Sequence, residues 1–464
     1  MSEIFQTTFP NGAFLIALTL IFGFYMAWSI GANDVANAMG TSVGSKALTI
    51  RNAVIIAAIF ELAGAIFVGG NVTDTVRKKI FDPSGFDPQL LALGFIAALL
   101  AAAVWLQIAT FKGWPVSTTH SIVGSIVGVG IVIGGGFSVI EWVAVLKIVA
   151  SWVTSPLFGG IISFLFYIFV QNCMIRTKDP VRSVNFWTPF LSFYVGFILS
   201  LVTVFKGLKN LKLNLGELEA VGVSVGVGFI FAVAAFFYVR AMSRKRGFSN
   251  EAEGDGESPK EGDPSLSMEW VGSYVDTKNV QKIFSGLIIL SAAFLAFAHG
   301  ANDVANAVGP IAGVLDIVKN FSLQDVVDKK PIEMKASLPV FVLILGGVGI
   351  VVGLATWGYK VIQTIGSKIT ELTPSSGFAA NIGAATTIVV ASKLALPIST
   401  THTLIGAVLG VGMAKGAKSL NFGVIRKIVL SWVVTIPAGA FFAIGIFYLL
   451  KLIFYTDPSQ LVVE

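Results

Sequence analysis

The sequence predicts an all-α, polytopic membrane protein built from two related halves. Of its 464 residues, 55% are hydrophobic and only 12% are charged, and the mean hydropathy is +0.82. Apolar runs of about 20 residues, the length that spans a bilayer as a helix, recur along the chain. These runs are continuous rather than alternating, which excludes a β-barrel. Three motifs occur twice in the same order, which indicates an internal duplication.

About twelve transmembrane segments are predicted from the apolar runs. They lie near 12–30, 53–70, 89–110, 121–136, 142–170, 187–205, 219–241, 283–299, 337–356, 378–396, 403–414 and 423–453. The segments at 121–136 and 403–414 are short, and each follows a polar break that contains a proline. Short, interrupted segments in matching positions are typical of re-entrant hairpins or broken helices at a binding site.

The duplication is visible in three pairs of strings. GANDVANA stands at 31–38 and 300–307, PVSTTH at 115–120 matches PISTTH at 397–402, and KIVASW at 147–152 matches KIVLSW at 427–432. We therefore divide the chain into repeat 1 (1–170), two intervening transmembrane helices (187–242), a loop (243–282) and repeat 2 (283–455). Seven crossings separate equivalent segments, so the repeats are expected to have inverted topology, as in many secondary transporters.

Charge patterning predicts the orientation. With the N-terminus outside, the loops that become cytoplasmic carry more Lys and Arg, including the basic run at 240–246. The loop at 243–282 is rich in Glu, Asp, Gly, Ser and Pro, which favours a solvated connector over a regulatory segment. The net charge of +6 resides in such loops and does not indicate nucleic-acid binding. We expect a multi-pass protein of the plasma membrane, or of the inner membrane in a bacterium.

The GANDVANA copies predict cation sites. Helical spacing places Asn33, Asp34 and Asn37 on one face, and the second copy presents the same face. That second set is Asn302, Asp303 and Asn306. Carboxylates within a membrane segment usually mark an ion or substrate path, and oxygen ligands suit a hard cation such as Na⁺. The alternative is that these polar faces only hold helices together. Glu61, isolated in the second apolar segment, is either a further cation ligand or a packing residue.

The proline-containing strings predict an anion site. Pro followed by Ser and Thr favours a helix start, and free backbone N–H groups there bind anions. The candidate hydroxyls are those of Ser117, Thr118, Thr119, Ser399, Thr400 and Thr401. Inverted repeats would make the two starts face each other; the alternative is that each string only caps its own helix. Further substrate candidates in the preceding segments are Gln107, Thr110 and Ser392. His120, His402 and Asn381 are possible supporting residues.

At these motifs the chain resembles the inorganic phosphate transporter (PiT) family, over nearly its whole length apart from 243–282. The features that carry the resemblance are both GANDVANA copies, both STTH strings and Glu61 in its segment. The resemblance implies a sodium-dependent phosphate symporter that works by alternating access as a homodimer. It implies Na⁺ sites at Asn33, Asp34, Asn302 and Asp303, with phosphate held by the two STT strings.

The resemblance also bears on the coupling ion. Proton-coupled bacterial relatives carry His where this chain has Asn33, which favours Na⁺ here. Many animal members have Glu where this chain has Asn381, so coupling through a carboxylate at that position is in doubt. The alternatives are proton-coupled transport of phosphate, a metal–phosphate complex or sulfate, a membrane enzyme, and a channel. An enzyme is disfavoured because no nucleophile–base pair with a third orienting group is apparent.

Overall fold

The architecture is all-helical over the residues that this computed structural model describes. Those residues are 7–204, 215–245, 277–328, 330–332, 334, 338–359, 362 and 372–457. Most of the predicted loop at 243–282 lies outside them. The first half contains α1 Gly12–Asn33, α2 Val35–Gly44, α3 Ile50–Val68, α4 Gly70–Lys78, α5 Pro88–Phe111, α6 Thr118–Ile133 and α7 Trp142–Val170. The intervening helices are α8 Pro180–Val202 and α9 Glu217–Lys245.

The second half follows the same order. It contains α10 Thr277–Asn320, α11 Leu323–Val327, α12 Val340–Trp357, α13 Pro374–Lys393, α14 Thr400–Lys415 and α15 Phe422–Phe454. Each predicted apolar segment coincides with one of these helices. Within the described ranges, nine helical stretches are long and apolar enough to cross a membrane. The number of twelve crossings stays a prediction, because α6, α13 and α14 are not among these nine stretches.

The two GANDVANA copies have different backbone paths. In the first, α1 ends at Asn33, Asp34 forms a turn, and α2 begins at Val35. The second copy lies inside α10, which continues for 44 residues, well beyond the predicted end at 299. The eight residues are identical in both copies, so the motif alone does not determine the backbone path.

Helices of one half cross helices of the other at glycines. A Cβ on Gly31 of α1 would lie 1.8 Å from the carbonyl oxygen of Ile350 in α12, and one on Gly353 would lie 1.9 Å from that of Trp28. The equivalent pair, α10 with α3, has Gly300 against the Glu61 carbonyl (2.2 Å) and Gly64 against Phe297 (2.1 Å). Only glycine permits such an approach. Reciprocal contacts at equivalent positions are the signature of a twofold relation.

The short helices α6 and α14 also pack against helices of the opposite half. A Cβ on Gly124 of α6 would lie 2.5 Å from the Ile436 carbonyl oxygen in α15. In the other half, Gly406 of α14 stands in the same relation to Pro156 of α7, at 2.2 Å. Each short helix is therefore packed against the long helix of the opposite half. This arrangement brings the starts of α6 and α14 together in the interior.

Candidate functional site at the two helix starts

The starts of α6 and α14 have the predicted caps. Ser117 precedes α6 with extended backbone angles, and its hydroxyl accepts the His120 N–H at 3.2 Å. Ser399 does the same for His402 ahead of α14, also at 3.2 Å. The prediction that both strings begin helices is confirmed. The two serine hydroxyls serve as N-caps, so the threonines and the free N–H groups of the first turn remain for other contacts.

The threonines donate hydrogen bonds to the motif carboxylates. The Thr118 hydroxyl donates to Asp34 Oδ2, and Thr400 donates to Asp303 Oδ2 at 2.7 Å. Thr401 also donates to Asp34, at Oδ1, over 3.1 Å. All of these side chains are buried. Asp34 therefore contacts both helix starts, and the predicted cation and anion groups lie in direct contact.

The two helix starts face each other, as predicted. The Thr119 hydroxyl donates to the Ile398 carbonyl oxygen of the second string at 2.9 Å. Thr401 Oγ1 in turn lies 3.4 Å from the Val116 carbonyl oxygen of the first string. Asn306 joins this contact, because its Nδ2 donates to Thr119 Oγ1 at 3.3 Å. The first turns of both helices thus form one polar centre.

Two asparagines are oriented by residues that the sequence had suggested for the substrate. Asn33 Nδ2 donates to Thr110 Oγ1 at 2.8 Å and to the Trp114 carbonyl oxygen at 3.2 Å. The equivalent Asn302 Nδ2 donates to Ser392 Oγ at 3.0 Å and to the Leu396 carbonyl oxygen at 3.2 Å. A carbonyl only accepts, so these contacts fix which amide atom is nitrogen. Both Oδ1 atoms are buried without a donor in the described part of the chain.

Glu61 and His299 add a buried pair of titratable side chains. His299 Nδ1 lies 2.9 Å from Glu61 Oε2, and its Nε2 lies 3.0 Å from Asp303 Oδ2, so the imidazole stands between two carboxylates. One ligand atom each from Asp34, His299 and Asp303 lies within 4.8 Å of the others. Sequence reasoning had not paired Glu61 with His299; the signal was only that each is an isolated titratable residue in an apolar run.

The centre fits a hard cation. Besides the two asparagines, Glu61 Oε1, Asp303 Oδ1 and Asn306 Oδ1 are buried oxygens that lack a donor among the described residues. Oxygen acceptors of this kind are the ligands that alkali and alkaline-earth cations take. Among the described side chains, Arg77 is the one buried Lys or Arg, and it contacts Asp74 and Asp316 instead. Within the described ranges, no Lys or Arg forms an ion pair with the carboxylates of the centre.

The other two histidines form a column with two tryptophans. The His120 ring lies 3.8 Å from Trp152 and 4.4 Å from His402, and His402 stacks on Trp432 at 3.5 Å between ring centroids. Each of these histidines contacts protein, because its Nδ1 lies 3.5 Å from a tryptophan carbonyl oxygen. These tryptophans belong to the repeated strings KIVASW and KIVLSW, which predicted the duplication but not the contacts with the histidines.

The remaining candidates are placed as follows. Asn381 accepts from Thr41 at 2.6 Å and donates to Ser291 at 3.2 Å, so it holds α2, α10 and α13 together. Neither partner was singled out in the sequence. Gln107 has a buried Oε1 without a donor in the described ranges and is not hydrogen-bonded to the centre there. The Asn37 side chain lies outside the described residues.

A helical membrane bundle whose two broken segments meet at a buried, oxygen-rich centre defines a membrane transporter rather than an enzyme. Residues 30–443 match the model of the phosphate transporter family, and the chain belongs to that family. It is 43% identical to a protein named as a phosphate permease in Haemophilus influenzae, over 96% of this chain and 98% of that one. It is 44% identical to the chloroplastic inorganic phosphate transporter 2-1 of Arabidopsis thaliana, over 92% of this chain and 70% of that protein.

A solved structure is also similar. It is described as the sodium-dependent phosphate transporter and superposes with a TM-score of 0.81 at 36% identity. The match covers 95% of this chain and 100% of that one. The family resemblance inferred from the repeated motifs is thus confirmed, as is the all-helical membrane fold.

Proposed function

We propose that this protein is a sodium-coupled symporter of inorganic phosphate. The observation that carries the proposal is the contact of two anion-binding helix starts with Asp34 and Asp303, where no Lys or Arg from the described residues is present. A multiply charged anion beside two carboxylates is strongly repelled in a low-dielectric interior. Bound cations remove that repulsion, so binding of the anion depends on binding of the cation.

The hydrogen bonds suggest how the two are coupled. Thr118 and Thr400 donate to Asp34 and Asp303 here, and a hydroxyl has only one proton to donate. When Na⁺ occupies the carboxylate oxygens, these hydroxyls are released to donate to phosphate, together with the N–H groups of the first helical turns. Sodium therefore binds first and phosphate second.

The roles divide among the candidates. We assign Na⁺ to Asn33, Asp34, Asn302 and Asp303, with the unpaired oxygens of Glu61 and Asn306 as further ligands and Asn37 expected beside them. Phosphate is assigned to both first turns, where Ser117 and Ser399 act as caps. We assign Thr110 and Ser392 to orienting the two asparagines, because their hydroxyls accept from Asn33 and Asn302. We assign His120 and His402 to stabilising the helix starts through their ring contacts with Trp152 and Trp432.

The solved relative described as sodium-dependent supports this coupling. We further propose a homodimer of inverted repeats in the plasma membrane, or the inner membrane of a bacterium, with the N-terminus outside. The α7–α8 turn and the first turn of α8, which then lie in the cytoplasm, expose Arg176, Lys178 and Arg182, in keeping with the positive-inside rule.

The test is radiolabelled phosphate uptake by purified protein in liposomes. An inward Na⁺ gradient should drive accumulation, and replacement of Na⁺ by choline at constant pH should abolish it. Accumulation that persists in choline and follows a pH gradient would instead establish proton coupling. Competition by sulfate, and dependence on Mg²⁺, distinguish phosphate from the other candidate substrates.

A further inference from the structure

A groove of about 370 Å³ opens on the outer surface between α7 and α8, away from the polar centre. Its walls are aromatic and aliphatic: Leu165, Phe166 and Phe169 from α7, with Trp187, Phe190, Leu191 and Tyr194 from α8. The Phe169 and Trp187 rings meet edge to face with centroids 5.0 Å apart. Leu165 and Phe190 remain more than half exposed, at 58% and 56%. The groove thus faces the hydrocarbon of the bilayer.

One end of the groove is basic. The turn that joins α7 to α8 exposes Arg176 and Lys178, and the first turn of α8 exposes Arg182. The exposed acid among them, Asp179, accepts the Arg182 N–H as a helix cap. Arg176 is seven residues beyond Phe169, and Arg182 is five before Trp187, which corresponds to about 8–10 Å along a helix. The headgroup layer of one leaflet is about 5–8 Å thick. The cations therefore stand at headgroup level when the groove stands at the level of the upper acyl chain.

We propose that this groove binds an acyl chain of an anionic glycerophospholipid, whose phosphate is held by Arg176, Lys178 and Arg182. The three cations select a lipid with net negative charge over a zwitterionic one, by about fivefold for each cation. The floor of the groove leads to the transport helices, since the Tyr194 hydroxyl lies 3.0 Å from Thr386 Oγ1 on α13. The bound lipid thus lies one side chain away from the helix that carries Ser392 and Asn381.

Quenching of tryptophan fluorescence by lipids brominated in the acyl chain tests the proposal with the full-length protein in nanodiscs. The signal of Trp187 is the difference between the unmodified protein and Trp187→Phe. We expect brominated phosphatidylglycerol to quench Trp187 at a mole fraction at least tenfold lower than brominated phosphatidylcholine. Free inorganic phosphate should not relieve the quenching, because the acyl chain supplies part of the affinity.

Variants separate the headgroup from the chain. Arg176→Ala with Lys178→Ala and Arg182→Ala should make the two lipids equivalent, and Lys178→Gln alone should shift the phosphatidylglycerol curve by about fivefold. The matched control removes two exposed cations at another helix start, Arg426→Ala with Lys427→Ala, and should leave the preference intact. Equal quenching by both lipids in the unmodified protein overturns the proposal. So does an absence of Trp187 quenching, which is expected if a second copy of the chain covers the groove.

Discussion

His299 and Glu61 form a buried pair that interrupts the symmetry of the two halves. Their Nδ1 and Oε2 atoms are 2.9 Å apart, next to the crossing of α10 and α3 at Gly300. At the equivalent crossing, around Gly31, the corresponding positions hold Ile30 and Ile350, both fully buried. The same backbone geometry thus encloses a carboxylate–imidazole pair on one side and two aliphatic side chains on the other.

This relationship predicts the stability of a symmetrised protein. Glu61→Ile or His299→Ile alone leaves one buried polar partner uncompensated and should cost about 3–5 kcal/mol, whereas the double substitution should recover most of that loss. Unfolding midpoints in detergent, measured by tryptophan fluorescence, give the order of stability of the three variants. Additive losses in the double variant would show that the pair does not act as a unit. Phosphate uptake should be lost in the two variants that lack Glu61 if Glu61 is a cation ligand.

Neutralising the motif carboxylates should uncouple phosphate from sodium. In Asp34→Asn and Asp303→Asn we expect Na⁺-dependent uptake to fall at least tenfold, because the charge that binds Na⁺ and repels phosphate is removed. The effect of Asp34→Asn should be the larger, since Asp34 accepts from both Thr118 and Thr401. The phosphate affinities with and without Na⁺, measured by calorimetry, should differ less in both variants than in the unmodified protein. Asp325→Asn, in the short helix α11, is the matched control, and unchanged uptake in both motif variants would refute the cation assignment.

Thr110 and Ser392 are expected to act on sodium rather than on phosphate. Thr110→Val and Ser392→Ala remove the acceptors that orient Asn33 and Asn302, and loss of such an outer contact weakens ion affinity by about 10–100-fold. The Na⁺ concentration for half-maximal uptake should rise, with little change in the apparent phosphate affinity at saturating Na⁺. Thr387→Val, which loses only a bond to its own helix at Gly383, is the control. A selective rise in the phosphate concentration for half-maximal uptake would instead indicate that Thr110 and Ser392 contact the substrate.

The glycine crossings should tolerate no side chain. Gly31→Ala and Gly353→Ala place a Cβ within 2 Å of a backbone oxygen, so helices α1 and α12 must separate, at a cost of about 3 kcal/mol or more. The added Cβ of Gly226→Ala in α9 meets no described atom of another segment within 4 Å, so this variant should raise stability slightly, by about 0.5–1 kcal/mol. Thermal unfolding of the three purified variants compares them. Equal midpoints would mean that the crossing adapts without strain.

Much of this fold could be predicted because its determinants are local or repeated. Apolar runs give the helices, and the cap at Ser117 or Ser399 depends only on a residue three positions later. The apposition of the two helix starts followed from the duplication itself. The continuous path of α10 was not predicted, because the same eight residues interrupt a helix in one half and lie within a helix in the other.

Contacts between distant segments could not be read from the chain. The bond of Thr401 to Asp34 joins residues 367 positions apart, and no spacing rule reports such a pair. The same applies to Thr110 and Asn33, where a hydroxyl that looked like a substrate ligand contacts an amide. His120 was expected only as a supporting residue, and its stacking on Trp152 could not be foreseen because that tryptophan lies on another helix.

The packing of helices of one half against helices of the other has a consequence for biogenesis. Helix α1 finds its glycine partner α12 more than 300 residues later, and α6 must wait for α15, near the C-terminus. At about 5–20 residues per second, the ribosome needs about 15 to 60 s to deliver those partners. During that interval the carboxylate of Asp34 has no second helix start to contact. The nascent first half therefore has to be shielded in the membrane by the insertion machinery, and a chain truncated after α9 should be recognised and degraded.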